Sequence, residues 1–218
     1  MIILSSKRRI IQHRNNQSVP KRCGRRLQLK RVFPEREVFI LWLLRTEGEI
    51  GRYRLARMLG VPQGIARGEL ARMKRDELIT VRHRAGTRAS SKGLRELAAQ
   101  MKREHLKLVR RSDQELLGLG SRSALFHVAG RSRQLGQGIE QRDAAVKAGA
   151  TGAVTFLFDG KTLRFPGVAE SLSKRNPAAF EQLKSQLKMK KGDVVLIAFA
   201  GTWWDAARGG FAAVRTLT

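Results

Sequence analysis

Between Gln63 and Arg88 the chain sets out cations at telling positions: Arg67, Lys74 and Arg75, then Arg82, Arg84 and Arg88. Guanidinium and ammonium groups form charge-assisted hydrogen bonds to phosphate oxygens, and the guanidinium fork also matches the acceptor edge of guanine. At about 100° per residue, a helix over Gln63–Glu77 puts Ala66, Leu70 and Met73 on one face. Gly64, Arg67, Ala71 and Arg75 lie broadly opposite, with Gln63 and Lys74 at the edge nearer Arg67. Gly64 and Gly68 each cost such a helix up to ~1 kcal/mol relative to Ala. Their missing side chains would admit a nucleic-acid backbone, or equally a neighbouring helix of the same fold. The residue pattern leaves both open.

The elements that must position these cations are legible on either side. Pro34 opens a helix in which Val38, Leu41, Trp42 and Arg45 share one stripe, with Glu35 and Glu37 in the first turn, where the helix dipole favours acids. A second helix from about Gly51 buries Leu55, Met58 and Leu59 and stops at Gly60, two residues before Pro62. Only Gly60-Val61-Pro62 separates it from the helix that carries Arg67, which is a helix-turn-helix arrangement. Leu78–Arg82 is prone to form a strand, residues 83–87 read as a Gly-tipped loop, and Arg88–Ser90 return as a second strand. Ser91 suits an N-cap, and Leu94, Leu97, Ala98, Met101 and Leu108 trace a fourth helix. The order of these elements resembles a winged helix-turn-helix domain. In such domains the third helix enters the major groove and the wing touches backbone or minor groove. The resemblance implies a DNA-binding set of Gln63, Gly64, Arg67, Lys74, Arg75, Arg82, Arg84 and Arg88.

Charge points to the same partner. The 218 residues carry 44 Lys or Arg against 18 Asp or Glu, a net charge of +26. Before Ser112 there are 29 basic and 9 acidic residues, and from Ser112 onward 15 and 9. The first 32 residues hold no acid. Their Lys7, Arg8, Arg9 and Arg14, then Lys21, Arg22, Arg25 and Arg26, and finally Lys30 and Arg31 make a self-repelling arm, expected to be disordered and to act as an electrostatic anchor on phosphates. The arm lacks the aromatic and leucine face that holds a helix at a membrane surface, so no membrane partner is expected. The longest apolar runs, Val38–Leu44 and Val194–Ala200, are far short of the roughly 20 residues that span a bilayer. Met1–Leu4 is too short for the apolar centre of an export signal, and a cytoplasmic location is expected. Cys23 is the only cysteine, and His13, His83, His105 and His127 are scattered, so neither an intrachain disulfide nor a metal site is expected.

Composition shifts between Lys107 and Arg122, and the expected domains are an arm (1–32), a winged helix-turn-helix unit (33–108), a linker (109–122) and an α/β unit (123–218). The last reads as strand 124–128, helix 139–148, strands 152–158 and 162–165, helix 177–188, strand 193–200, and a helix from Thr202 to Val214. Its first six elements follow the β-α-β-β-α-β order of a ferredoxin-like sandwich, so the fold class is α+β with an added C-terminal helix. Catalytic signatures fail. Gly136-Gln137-Gly138 begins like a dinucleotide loop, but Gln141 occupies its third glycine position. Asp143, Asp159, Asp193 and Asp205 stand at helix starts, a turn and a strand start, where carboxylates cap or turn the chain. No enzyme activity, catalytic residue or cofactor is expected.

The words Arg142–Lys147, Gly152-Ala153, Phe165-Pro166, Lys191–Val195 and Asp205–Ala207 resemble the C-terminal domain of an archaeal two-domain family. That family joins a winged helix to an α/β domain of unknown function and is regarded as transcriptional regulators. The resemblance covers residues 34–215. It implies double-stranded DNA as partner, with the C-terminal unit serving as a sensing module for a small-molecule effector or as a homodimerisation module. The basic arm departs from the family pattern and leaves room for an RNA or ribosome partner. A third alternative is a winged-helix-fused riboflavin kinase, since Lys191–Val195 occurs in such enzymes. A strand should come next there, whereas Thr202–Val214 reads as helix.

Overall fold

The computed structural model describes residues 35–82, 86–112, 117–118 and 122–218. The basic arm and Arg84 lie outside the described residues. Helix α1 (Glu35–Glu47) organises the elements around it, because every residue from Glu37 to Leu44 is buried. A helix with no solvent face must be sheathed all round. Helices α2 (Arg52–Leu59) and α3 (Gln63–Arg75), the hairpin of β1 (Ile79–Arg82) and β2 (Gly86–Ala89), and α4 (Ser91–Arg103) cover part of it. The rest is covered by α8 (Trp203–Arg215), the C-terminal helix.

The remaining strands are β3 (Leu106–Ser112), β4 (Arg122–Val128), β5 (Gly152–Phe158), β6 (Leu163–Arg164) and β7 (Val194–Ala200). They form one sheet in the order β3-β4-β7-β5-β6, with every neighbouring pair antiparallel. Alternation along the strands separates two cores. Ala124, Phe126, Leu196 and Ala198 pack with α8 and with α5 (Ile139–Lys147), while Leu125, Val195, Ile197 and Phe156 pack with Phe180 and Leu183 of α7 (Pro177–Gln186). A short α6 (Leu172–Arg175) leads into α7, whose first turn is capped by the Asn176 side chain accepting from Ala179 N–H at 3.0 Å. The protein is therefore a mixed α/β structure with helices on both faces of the larger sheet.

Several expectations are corrected. The 109–122 linker does not separate two units: residues 106–112 are β3, hydrogen-bonded along β4, and Val32–Thr218 forms one compact unit. Leu108, placed by periodicity in the fourth helix, lies in β3, because α4 ends at Arg103 and His105 takes a left-handed φ of 53° that turns the chain. The cap of α4 is Ser90, whose hydroxyl accepts from Gly93 N–H at 3.0 Å, rather than Ser91. The ferredoxin-like strand order is also replaced. That order would set the unit's first strand between its third and fourth, whereas here the fourth, β7, lies between the first and second, β4 and β5. The physical reason is in β7 itself: Val194–Ala198 are buried without alternation, so this strand needs both faces covered and a neighbour on either side.

Two contacts lock the layers. Gly210 lets α8 lie directly on the Phe126 ring, where an added Cβ would fall well inside van der Waals contact. Phe211 meets the same ring edge-on, with centroids 5.1 Å apart. Where β4 ends and β7 begins, the buried Asp193 carboxylate accepts from Lys107 Nζ (2.7 Å), His127 Nε2 (2.8 Å), Gly130 N–H (3.0 Å) and Lys190 N–H (2.9 Å). Burial alone would raise its pKa, but these donors outweigh burial and hold it at about 2. Burial pulls His127 below its ordinary value, against the pull of Asp193. The His127 imidazole is thus neutral and its Nε2–H donates.

Gly210→Ala should lower unfolding free energy by about 1–3 kcal/mol or more through overpacking, measured by urea denaturation. Gly64→Ala, where nothing lies within 4 Å of an added Cβ, should raise it by up to ~1 kcal/mol. Stability should also fall on acidification in two windows. The depressed His127 contributes a loss as pH drops below the ordinary histidine value, and Asp193 a loss from near pH 4 down through its folded value of about 2. Asp193→Asn should flatten the lower window, as read from urea midpoints against pH.

Candidate nucleic-acid interface

The α2–α3 turn is built by local chemistry. Gly60 adopts a left-handed φ of 63°, its N–H bonding to Arg57 O (3.2 Å) and that of Val61 to Ala56 O (3.1 Å), which ends α2. Pro62 comes next, and its carbonyl accepts from Ala66 N–H at 3.1 Å to begin α3. The inward face of α3 is Ala66, Leu70 and Met73, all buried. Its outward face holds Gln63, Gly64, Arg67, Gly68, Ala71, Lys74 and Arg75, all exposed.

The flank between these faces carries the ion pairs. Arg36 of α1 meets Glu69 at 3.1 Å, and Arg72 joins Glu69 (2.5 Å) to the fully buried Glu37 of α1. Burial would raise the Glu69 pKa, but hydrogen bonds and charge from Arg72 and Arg36 hold it below the usual carboxylate value. The hydrogen bond with Glu69 raises that of Arg72 in turn. Both pairs tie α3 to α1. They also commit Glu69, so Arg67, Lys74 and Arg75 form no carboxylate ion pair among the described residues.

The hairpin follows at once. Leu78 N–H bonds back to Met73 O (2.9 Å), and β1 and β2 pair in the register Ile79↔Ala89 to Arg82↔Gly86. Ile50 and Thr87 exchange two backbone hydrogen bonds of 2.9 Å, fastening the loop after α1 to β2. Here a glycine is required: Gly86 has φ 116°, and an added Cβ would lie 2.9 Å from the Ile50 carbonyl carbon. Arg82 is exposed and pairs with Glu49 at 3.3 Å. Arg88 is exposed, opposite Thr80, with no carboxylate partner among the described residues.

The structure therefore brings Gln63, Gly64, Arg67, Lys74 and Arg75 onto one helix face and places Arg82 and Arg88 on the adjoining hairpin. Sequence reasoning missed Arg52. It lines a hollow of ≈ 200 Å³ with Gln63, Gly64 and Arg67, and its guanidinium lies 4.7 Å from the exposed Tyr53 ring. Arg52 opens α2, eight residues before Gly60, and no local pattern marks it as a neighbour of α3. The two glycines are now resolved as well: nothing lies within 4 Å of a Cβ added at Gly64 or Gly68. Neither serves the packing of α1 or α2.

The platform beneath this face is shared with the larger sheet. Trp42 Nε1 donates to Val109 O of β3 (2.7 Å), Glu47 pairs with Arg111 (2.8 Å), and Arg215 of α8 pairs with Glu35 (2.5 Å) and Glu104 (3.3 Å). Trp204 packs against Phe39 at 5.7 Å under the Arg36 guanidinium, whereas Trp203 lies between Arg111 and Arg122. Thr202, the cap of α8, would meet a Cβ at Gly60 at 3.3 Å, so α8 begins against the α2–α3 turn. No described helix is long and apolar enough to cross a membrane.

Comparison with known proteins reaches only the fold and the C-terminal half. No curated protein matches the chain. A solved structure of a hypothetical protein from Pyrococcus horikoshii OT3 is similar in fold, with a TM-score of 0.63 at 17% identity over 85% of this chain and 91% of that one. Residues 119–217, just under half of the chain, match a domain of unknown function, DUF4443.

Proposed function

We propose that this protein is a DNA-binding transcriptional regulator. In this reading α1–α4 with the β1/β2 hairpin form a winged helix-turn-helix reader, and the C-terminal α/β unit senses an effector or dimerises. The observation that carries it is the outward face of α3. Two glycines there leave open space where side chains would stand, and three exposed cations beside them have no described counter-ion. A helix interior gives up stability for such glycines. The gain is a groove-fitting surface from which Arg67 reaches base edges and Lys74 and Arg75 reach phosphates. In this reading Arg82 and Arg88 on the hairpin meet the flanking backbone. A hollow of ≈ 280 Å³ in the α/β unit, lined by Leu117, Val154, Phe165, Leu172, Arg175 and Asn176, suits a small effector.

Binding to duplex DNA should weaken steeply as salt rises, by fluorescence anisotropy across a salt series, and flat binding would contradict the reading. Arg67→Ala should cost about 1–3 kcal/mol and relax one base position, while Lys74→Ala should weaken all sequences alike and reduce the salt slope by about 1. Gly68→Leu separates recognition from folding. It should hold or raise the melting temperature yet weaken duplex binding at least about tenfold, since the new side chain occupies space the groove needs. Preferential binding of structured RNA over duplex DNA in the same assay would move the partner to RNA.

A further inference from the structure

A second cationic surface lies at the far end of the larger sheet, where β4 ends and β7 begins. Three turns converge there. Ser132 N–H bonds to Gly192 O (3.1 Å), Gly192 N–H bonds to Phe158 O (2.9 Å), and Lys191 Cβ would sit 3.6 Å from a Cβ on Gly160. The convergence gathers Arg133, Lys161, Lys190 and Lys191, all exposed and none in a carboxylate ion pair among the described residues. The two carboxylates within the cluster are committed elsewhere. Asp193 is the buried acceptor of four donors, and Asp159 accepts from the turn N–H groups of Lys161 and Thr162 and pairs with Arg164.

The surface continues onto the end of α4. Ala129 N–H bonds to His105 O at 2.8 Å, and the Arg131 guanidinium hydrogen-bonds the His105 ring. Beside them an open hollow of ≈ 400 Å³ carries Arg45, Lys102 and His105 on a partly apolar wall of Ala98, Met101, Leu106 and Ala129, with Lys107 held by Asp193. Arg45 directs its guanidinium to Met101 Sδ at 3.5 Å instead of to a carboxylate. With the acids of the cluster satisfied from within, the cations left exposed along this face, Arg133, Lys161, Lys190 and Lys191 with Arg45 and Lys102 beside the hollow, suit a polyanion.

We propose that this surface is a second duplex-DNA contact, holding the phosphate backbone beyond the segment that α3 reads. It rests on the proposed function for the identity of its partner. Seven residues of β7, about 23 Å at 3.3 Å per residue, run from this surface to the α8 cap that touches the α2–α3 turn. A duplex seated on α3 therefore has to extend past the reader to meet it. The contact adds affinity and orientation and reads no sequence.

The test is the full chain with Arg133→Ala, Lys161→Ala, Lys190→Ala and Lys191→Ala combined, after its melting temperature is shown to be unchanged. On a duplex of about 40 base pairs the slope of log affinity against log salt should become shallower by about three to four, at ~0.9 per lost contact. The same drop should appear when the four changes are added to Arg67→Ala/Lys74→Ala/Arg75→Ala. Elution of the four-fold variant from heparin at lower salt reports the surface even where duplex binding is absent. An unchanged slope together with unchanged elution overturns the proposal. A slope that falls for the α3 variant alone overturns it while leaving the regulator reading intact, and the reverse pattern rejects the reader and keeps the surface. Earlier elution with an unchanged duplex slope, or tighter retention of structured RNA than duplex through these four residues, overturns duplex DNA as the partner.

Discussion

The burial of α1 on every side is the constraint that governs the architecture. A run of eight residues with no solvent face cannot be satisfied by α2–α4 alone, so α8 and β3 complete its sheath. Trp42 hydrogen-bonding to β3 and Trp204 packing on Phe39 are the points where that completion is visible. One consequence is rigidity. The helix that presents Arg67 is ion-paired to α1, and α1 is in turn fixed to the sheet through Arg111 of β3 and to α8 through Arg215. At the start of α8, Thr202 lies against Gly60 of the α2–α3 turn.

A second consequence is electrostatic. Of the acids near α3, Glu37 and Glu69 are spent on Arg36 and Arg72 along the inner flank. The outer cations gain no internal carboxylate and keep their charge for solvent or for a ligand. The same division recurs at the end of the sheet, where Asp193 and Asp159 are satisfied from within while Lys161, Lys190 and Lys191 face outward.

Most elements were legible in the sequence because their signals are local. Gly60 and Pro62 mark the α2–α3 turn, Asp159-Gly160 the turn between β5 and β6, and Thr202 the start of α8, and each sits where its chemistry demands. β3 was not legible. In sequence Leu108 continues the apolar spacing of α4, so only the turn at His105 separates the helix from the strand. Strand order was hidden for a related reason, since pairing of β4 with β7 joins residues some seventy positions apart, and no local pattern encodes it. For the candidate site, the helix wheel placed Arg67, Lys74 and Arg75 outward, as the structure has them. Whether Gly64 and Gly68 served packing or an external surface required coordinates, because only the space around a missing Cβ distinguishes the two.

The central claim is that the outward face of α3 enters a nucleic-acid groove. Backbone amide shifts recorded while a specific duplex is titrated into the labelled full chain test it residue by residue. The largest perturbations should fall on Gln63–Arg75 and on the hairpin from Thr80 to Arg88. Perturbations confined to residues 122–218, with the α3 amides unmoved at saturation, would contradict it.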